Sequence, residues 1–121
     1  MDDILETYVK SANEEDFTVD LTLQVKGALV TGTLTSAYDY LNSTSHLLEN
    51  GGEASQKISE QFEKAAESTK EQKHDHYSFI HLKDAKVFIS DTPTPEEGGV
   101  YWRGTLEQVD GYFLGKIEVE E

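Results

Sequence analysis

The residues best suited to metal chemistry lie in one run, HDHYSFIH, which carries His74, Asp75, His76 and His81. Imidazole nitrogens and a carboxylate are zinc-type ligands, but a structural site needs four donors converging at about 2 Å, usually from fixed spacings. On an extended strand His74 and His76 share one side and His81 falls on the other. The run therefore reads as polar residues at a strand entry, and no metal is expected. Nucleophilic chemistry has less to work with. There is no cysteine, and no Gly-x-Ser-x-Gly elbow occurs. GALVTG and GYFLG both lack the Gly-Lys-Ser/Thr ending of a phosphate loop. With 24 acids in 121 residues, any two carboxylates could be imagined as a general acid and base, so their abundance selects no pair. These residues point to no enzyme and to no cofactor.

A second constellation is GVYWRGTLEQVDGYFLGKI, residues 99–117, which holds the sole tryptophan and the sole arginine side by side. Tyr101, Trp102 and Tyr112 could form a stacking surface for a ligand or for single-stranded nucleic acid. The same residues suit the corner of a folded sheet. Large aromatics are normally well buried, so Trp102 is assigned to a core or an interface. Arg103 points to the opposite face of its strand, where the surplus of acids predicts a solvent ion pair of little energetic weight.

These side chains need elements to position them. Ile4, Leu5, Tyr8, Val9 and Ala12 form one stripe, predicting a helix over 1–13. Phe17, Val19, Leu21, Leu23 and Val25 alternate with polar residues, the pattern of a strand with one wet face. Lys26-Gly27 reverses the chain into a second strand, giving a hairpin over 17–36 with a bend at Gly32. Residues 37–73 read as a helical insertion broken at Asn50-Gly51-Gly52. Its second helix has a thin, Ala-rich apolar face in which Ile58 and Phe62 are the largest side chains. Strands fill 76–119, with a kink at Lys83-Asp84 and a hairpin at Asp110-Gly111. The fold class is α+β: a small antiparallel sheet, or a five-stranded barrel of the SH3 or Sm type, with an N-terminal helix and helices inserted between strands two and three.

The length suits a single domain with a modest core. The net charge of −14 repels nucleic acid and anionic membranes, and it also keeps a small domain dispersed. No signal peptide or membrane span is visible, so a cytoplasmic location is expected. A narrow helical face and uncovered sheet edges predict self-association near Ile58 and Phe62, the alternative being a monomer whose long helix lies across the sheet. Tyr101, Trp102, Arg103, Tyr112, Ile58 and Phe62 are the expected interaction residues.

In FIHLKDAKVF and YWRGTLEQVDGYFLGKI the chain resembles the gas vesicle accessory protein U family. The matching residues are Phe79, Ile80, His81, Leu82, Lys83, Trp102, Arg103, Gly104, Val109, Gly111, Phe113, Leu114 and Gly115. LETYVKSANEEDFTVDLTLQVKGALVTGTLTSAYDYL resembles the family's opening. The resemblance implies a non-catalytic accessory protein of bacterial gas vesicles, working by protein–protein interaction in vesicle assembly, stability or clustering. Its implied partners are the vesicle shell or other accessory proteins. A basic, serine-rich tail associated with some members is replaced here by KIEVEE, which is expected to alter any self-association that depends on it.

Overall fold

A computed structural model describes residues 3–71 and 76–118. The chain opens with helix α1 (Asp3–Glu15), then strands β1 (Asp20–Val25) and β2 (Ala28–Thr35). Helices α2 (Ala37–Leu48) and α3 (Glu53–Glu71) follow. Strands β3 (Phe79–Phe88), β4 (Pro93–Thr94) and β5 (Val100–Thr105) lead to a 3-10 turn at Leu106–Gln108 and strand β6 (Val109–Leu114). The fold is α+β. Among the described residues six strands form one antiparallel sheet, in the order β4-β3-β2-β1-β6 with β5 also on β3.

The sheet stays open. β5 pairs with β3 and β6 pairs with β1, and no pairing joins β5 to β6 among the described residues. This corrects the barrel alternative and the hairpin expected at Asp110-Gly111. Those two residues lie within β6, where Gly111 faces Gln24 of β1. β5 and β6 run in the same direction, joined by the 3-10 turn, where buried Leu106 enters the core while the chain crosses from one sheet edge to the other.

Alternation in the strands supplies the core. Leu23 faces Val30, Leu34 faces Leu82, and Ile80 faces Gly104 across the ladders. These apolar residues join Leu5, Val9 and Ala12 of α1 in one buried cluster. Fully burying such a side chain stabilises by about 1.5–3 kcal/mol. α1 runs two residues beyond its expected end at Asn13.

The other face is not simply wet, as alternation in β1 had suggested. Thr22 is completely buried because residues 115–117 cross over it. Ile117 N–H donates to Thr31 Oγ1 (2.8 Å), Thr31 to Thr22 (3.0 Å), and Thr22 to the Gly115 carbonyl (2.8 Å). Each hydroxyl has one proton, so the Thr22 bond to Gly115 fixes the direction of the Thr31–Thr22 bond.

Two expected breaks proved to be one bend. β3 continues through Lys83-Asp84, where Asp84 takes a positive φ of 51° and the pairing with β2 shifts opposite Gly32. A Cβ on Gly32 would lie 3.0 Å from the Lys83 carbonyl oxygen and 3.1 Å from Ala85 Cα. The bulge needs that missing side chain.

Candidate functional site

β3 carries Phe79 and His81 on one face, and β5 places Arg103 directly across from His81. Directly opposed residues in an antiparallel pair sit close enough for their side chains to interact. Arg103 Nε–H donates to His81 Nε2 at 3.2 Å, and the guanidinium carbon lies 3.8 Å from the centre of the Phe79 ring. The guanidinium is thus fixed by one hydrogen bond and one cation–π contact. Accepting that bond leaves the His81 proton on Nδ1, which is buried with no partner among the described residues.

His81 is 3 % exposed. Burial first, and the Arg103 charge second, lower its pKa from 6.5 to about 4. The imidazole is therefore neutral at neutral pH. Its other neighbour is Tyr40 of α2, with ring centres 5.1 Å apart.

α2 is held over this face by its own N-terminus. Ser36 Oγ accepts from Asp39 N–H (3.0 Å), and Asn13 Oδ1 at the end of α1 accepts from Ala37 N–H (2.9 Å). Both satisfy donors that a helix start leaves open. The Asp39 carboxylate then accepts from Thr35 (2.8 Å), Ser43 (3.3 Å) and the Tyr101 hydroxyl (3.3 Å to each oxygen). Tyr101 also packs edge-on to Tyr40, ring centres 6.4 Å apart.

Beside this strip opens a cleft of about 320 Å³, reached by α1, α2, α3 and the strand pair, with Leu41, Phe79, His81 and Arg103 among its walls. The volume lies at the lower end for small-molecule sites.

The expected interaction residues fall in three places. Tyr101 and Arg103 share the face that carries α2. Trp102 points the other way, facing Leu82 and packing against the core with its ring over Gly104. Tyr112 belongs to β6 at the opposite sheet edge, edge-on to Tyr8 of α1. Tyr101, Trp102 and Tyr112 therefore share no stacking face. Ile58 is 44 % exposed on α3 and Phe62 is half-buried. α3 lies against α2, tied to it by the Ser59 hydroxyl donating to the Ser45 carbonyl (2.7 Å).

Of the histidine run, His74 and Asp75 lie outside the described residues. His76 is exposed, 2.9 Å from a Glu6 carboxylate oxygen. No group of three or more potential metal ligands occurs among the described residues. No described helix is long and apolar enough to cross a membrane.

Sequence reasoning missed the Phe79–His81–Arg103 unit. It assigned Arg103 to an ion pair in solvent, whereas among the described residues Arg103 bonds to a neutral histidine and pairs with no acid. The signal was there in His81 and Arg103 on facing strands, but it is readable only once β3 and β5 are known to pair. Asp39 was equally visible in Ser36-x-x-Asp39, a capping pattern at the start of an apolar helix.

No curated protein and no solved structure matches the chain. The sequence model of the family described as "Gas vesicle protein GvpU-like" matches residues 2–117.

Proposed function

The chain belongs to the GvpU-like family of gas vesicle proteins, and from that premise we propose that it is a non-catalytic, cytoplasmic accessory protein acting through protein–protein contacts. Its partners in this reading are the vesicle shell or other accessory proteins, and the outcome is assembly, stabilisation or clustering of vesicles. The family match over residues 2–117 carries the reading. The charge of −14 supports it by disfavouring nucleic acid and anionic membranes as partners. Exposed apolar residues such as Leu47 and Ile89, 79 % and 84 % exposed, suit contact with another protein. Self-association belongs to the same proposal, with Ile58 and Phe62 of α3 in or near the contact.

Gas-filled vesicles rise on centrifugation, which gives a direct test. Purified protein mixed with isolated vesicles should float with them, and pull-down from vesicle-producing cells should recover shell or accessory proteins. A protein that stays in the liquid below, and retrieves no vesicle component, would overturn the reading.

A further inference from the structure

We propose that the cleft beside Arg103 binds a carboxylate carried on a small apolar body, held by the outer nitrogens of the guanidinium. This goes beyond the gas vesicle reading and does not depend on it.

The first ground is the state of the arginine. Among the described residues only Nε is hydrogen-bonded, to His81, and the Phe79 ring holds the guanidinium from one side. Of the five N–H donors of an arginine, the four on the terminal nitrogens meet no carboxylate among the described residues. That is unexpected in a chain with 24 acids against ten lysines and arginines. A planar fork fits a carboxylate bidentately. Because the side chain is already fixed, little rotamer freedom remains to be lost on binding.

The second ground is the wall chemistry. Among the described residues lining the cleft none is an aspartate or glutamate. Two acids outside that lining bond to residues within it, Glu6 to His76 and Glu14 to the Tyr77 hydroxyl, each at 2.9 Å. Two neighbouring clefts differ, one lined by Asp16 and Asp39 and the other by Glu14 and Asp16. The Arg103 cleft thus offers an anion a cation with no carboxylate residue among its described walls. His81, the residue that holds the arginine, lines the same cleft.

The third ground is size. Ala37, Leu41 and Phe79 give the cleft apolar surface, and its volume of about 320 Å³ is at the lower end for small-molecule sites. A short alkyl or single side-chain body fits that space. Two sources share the chemistry: a free short-chain carboxylic acid, or the C-terminal carboxylate of a protein with an apolar last residue.

The test is an amide-resolved NMR titration of the full chain with hexanoate, hexan-1-ol, hexylamine, and a leucine-ending peptide as free acid and as amide. Hexanoate or the free-acid peptide should shift the amides around Phe79, His81 and Arg103, and the alcohol, amine and amide should not. Arg103→Gln should weaken that binding at least about tenfold, with Arg103→Lys in between because a point charge replaces a fork. Arg103 is exposed, and an unchanged amide spectrum outside the cleft confirms that the variants fold. Hexanoate binding without peptide binding assigns a free acid, and the reverse assigns a chain terminus. Binding by neither, equal binding of hexanol, or undiminished affinity in Arg103→Gln would overturn the proposal.

Discussion

Replacing His81 with glutamine should flatten the acid side of the protein's stability profile. The histidine is buried between Arg103 and Tyr40 with its pKa lowered from 6.5 to about 4. Once unfolded it returns to its ordinary value. The unfolded state therefore takes up a proton first as the pH falls. The stability tied to a neutral His81 is intact above pH 6.5 and is lost between pH 6.5 and pH 4. One pKa unit corresponds to about 1.4 kcal/mol, so lowering the pH from 7 to 4 removes roughly 3 kcal/mol through this one group. A domain of this length is stable by about 10 kcal/mol, so the loss is a large share of the whole. Urea melts of wild type and His81→Gln at pH 7 and pH 4 isolate the effect. Carboxylates protonate in both proteins, and their contribution cancels in the difference between the two pH-dependent losses. Any packing cost of the substitution cancels too, because it is present at both pH values. NMR titration of the His81 ring should give a midpoint near pH 4. A midpoint near 6.5, or equal pH losses in the two proteins, would refute the reasoning.

Three other outcomes are expected. Gly32→Val and Gly104→Val should each destabilise by more than about 1 kcal/mol, because one Cβ meets the bulge backbone and the other the Trp102 ring. Thermal melts unchanged within error would show that neither close approach matters. Thr31→Val removes the acceptor for Ile117 N–H and the donor to Thr22. It should cost about 1–3 kcal/mol and speed hydrogen exchange at Ile117, and an equally protected Ile117 amide would contradict this. Light scattering should show wild type as an oligomer and Phe62→Glu as a smaller species. A wild type monomeric at high concentration ends the self-association proposal, and an oligomer that survives the substitution removes α3 from the contact.

What could be read from the sequence was local. Alternation from Val19 to Val25 marks β1, and Lys26-Gly27 turns the chain with both residues at positive φ, 49° and 87°. Asn50-Gly51-Gly52 separates α2 from α3. The misreadings were of long-range partners. Asp110-Gly111 has the composition of a hairpin turn, yet β1 and β3 each had an edge to fill, and β6 and β5 went to different ones. Thr22 looked like a solvent position because the covering residues lie more than ninety positions further on. The cleft is hidden for the same reason. Arg103, His81 and Asn13 meet only after α1, the helical pair and two strands have been placed.

The pairing of β6 with β1 also sets an order of events during folding. Residues 20–35 can form their hairpin at once, because every contact in it is local. The outer edge of β1 then waits for residues 109–114, with both helices of the pair in the intervening loop. Closing so long a loop costs conformational entropy before any contact rewards it, and topologies rich in such contacts fold slowly. During synthesis, β1 therefore exposes an unpaired edge throughout the time in which β2, α2, α3 and β3 are made. An open edge beside a hydrophobic strand is where a second nascent chain can add itself. The interval before β6 arrives is the period in which this fold is most vulnerable to misassembly.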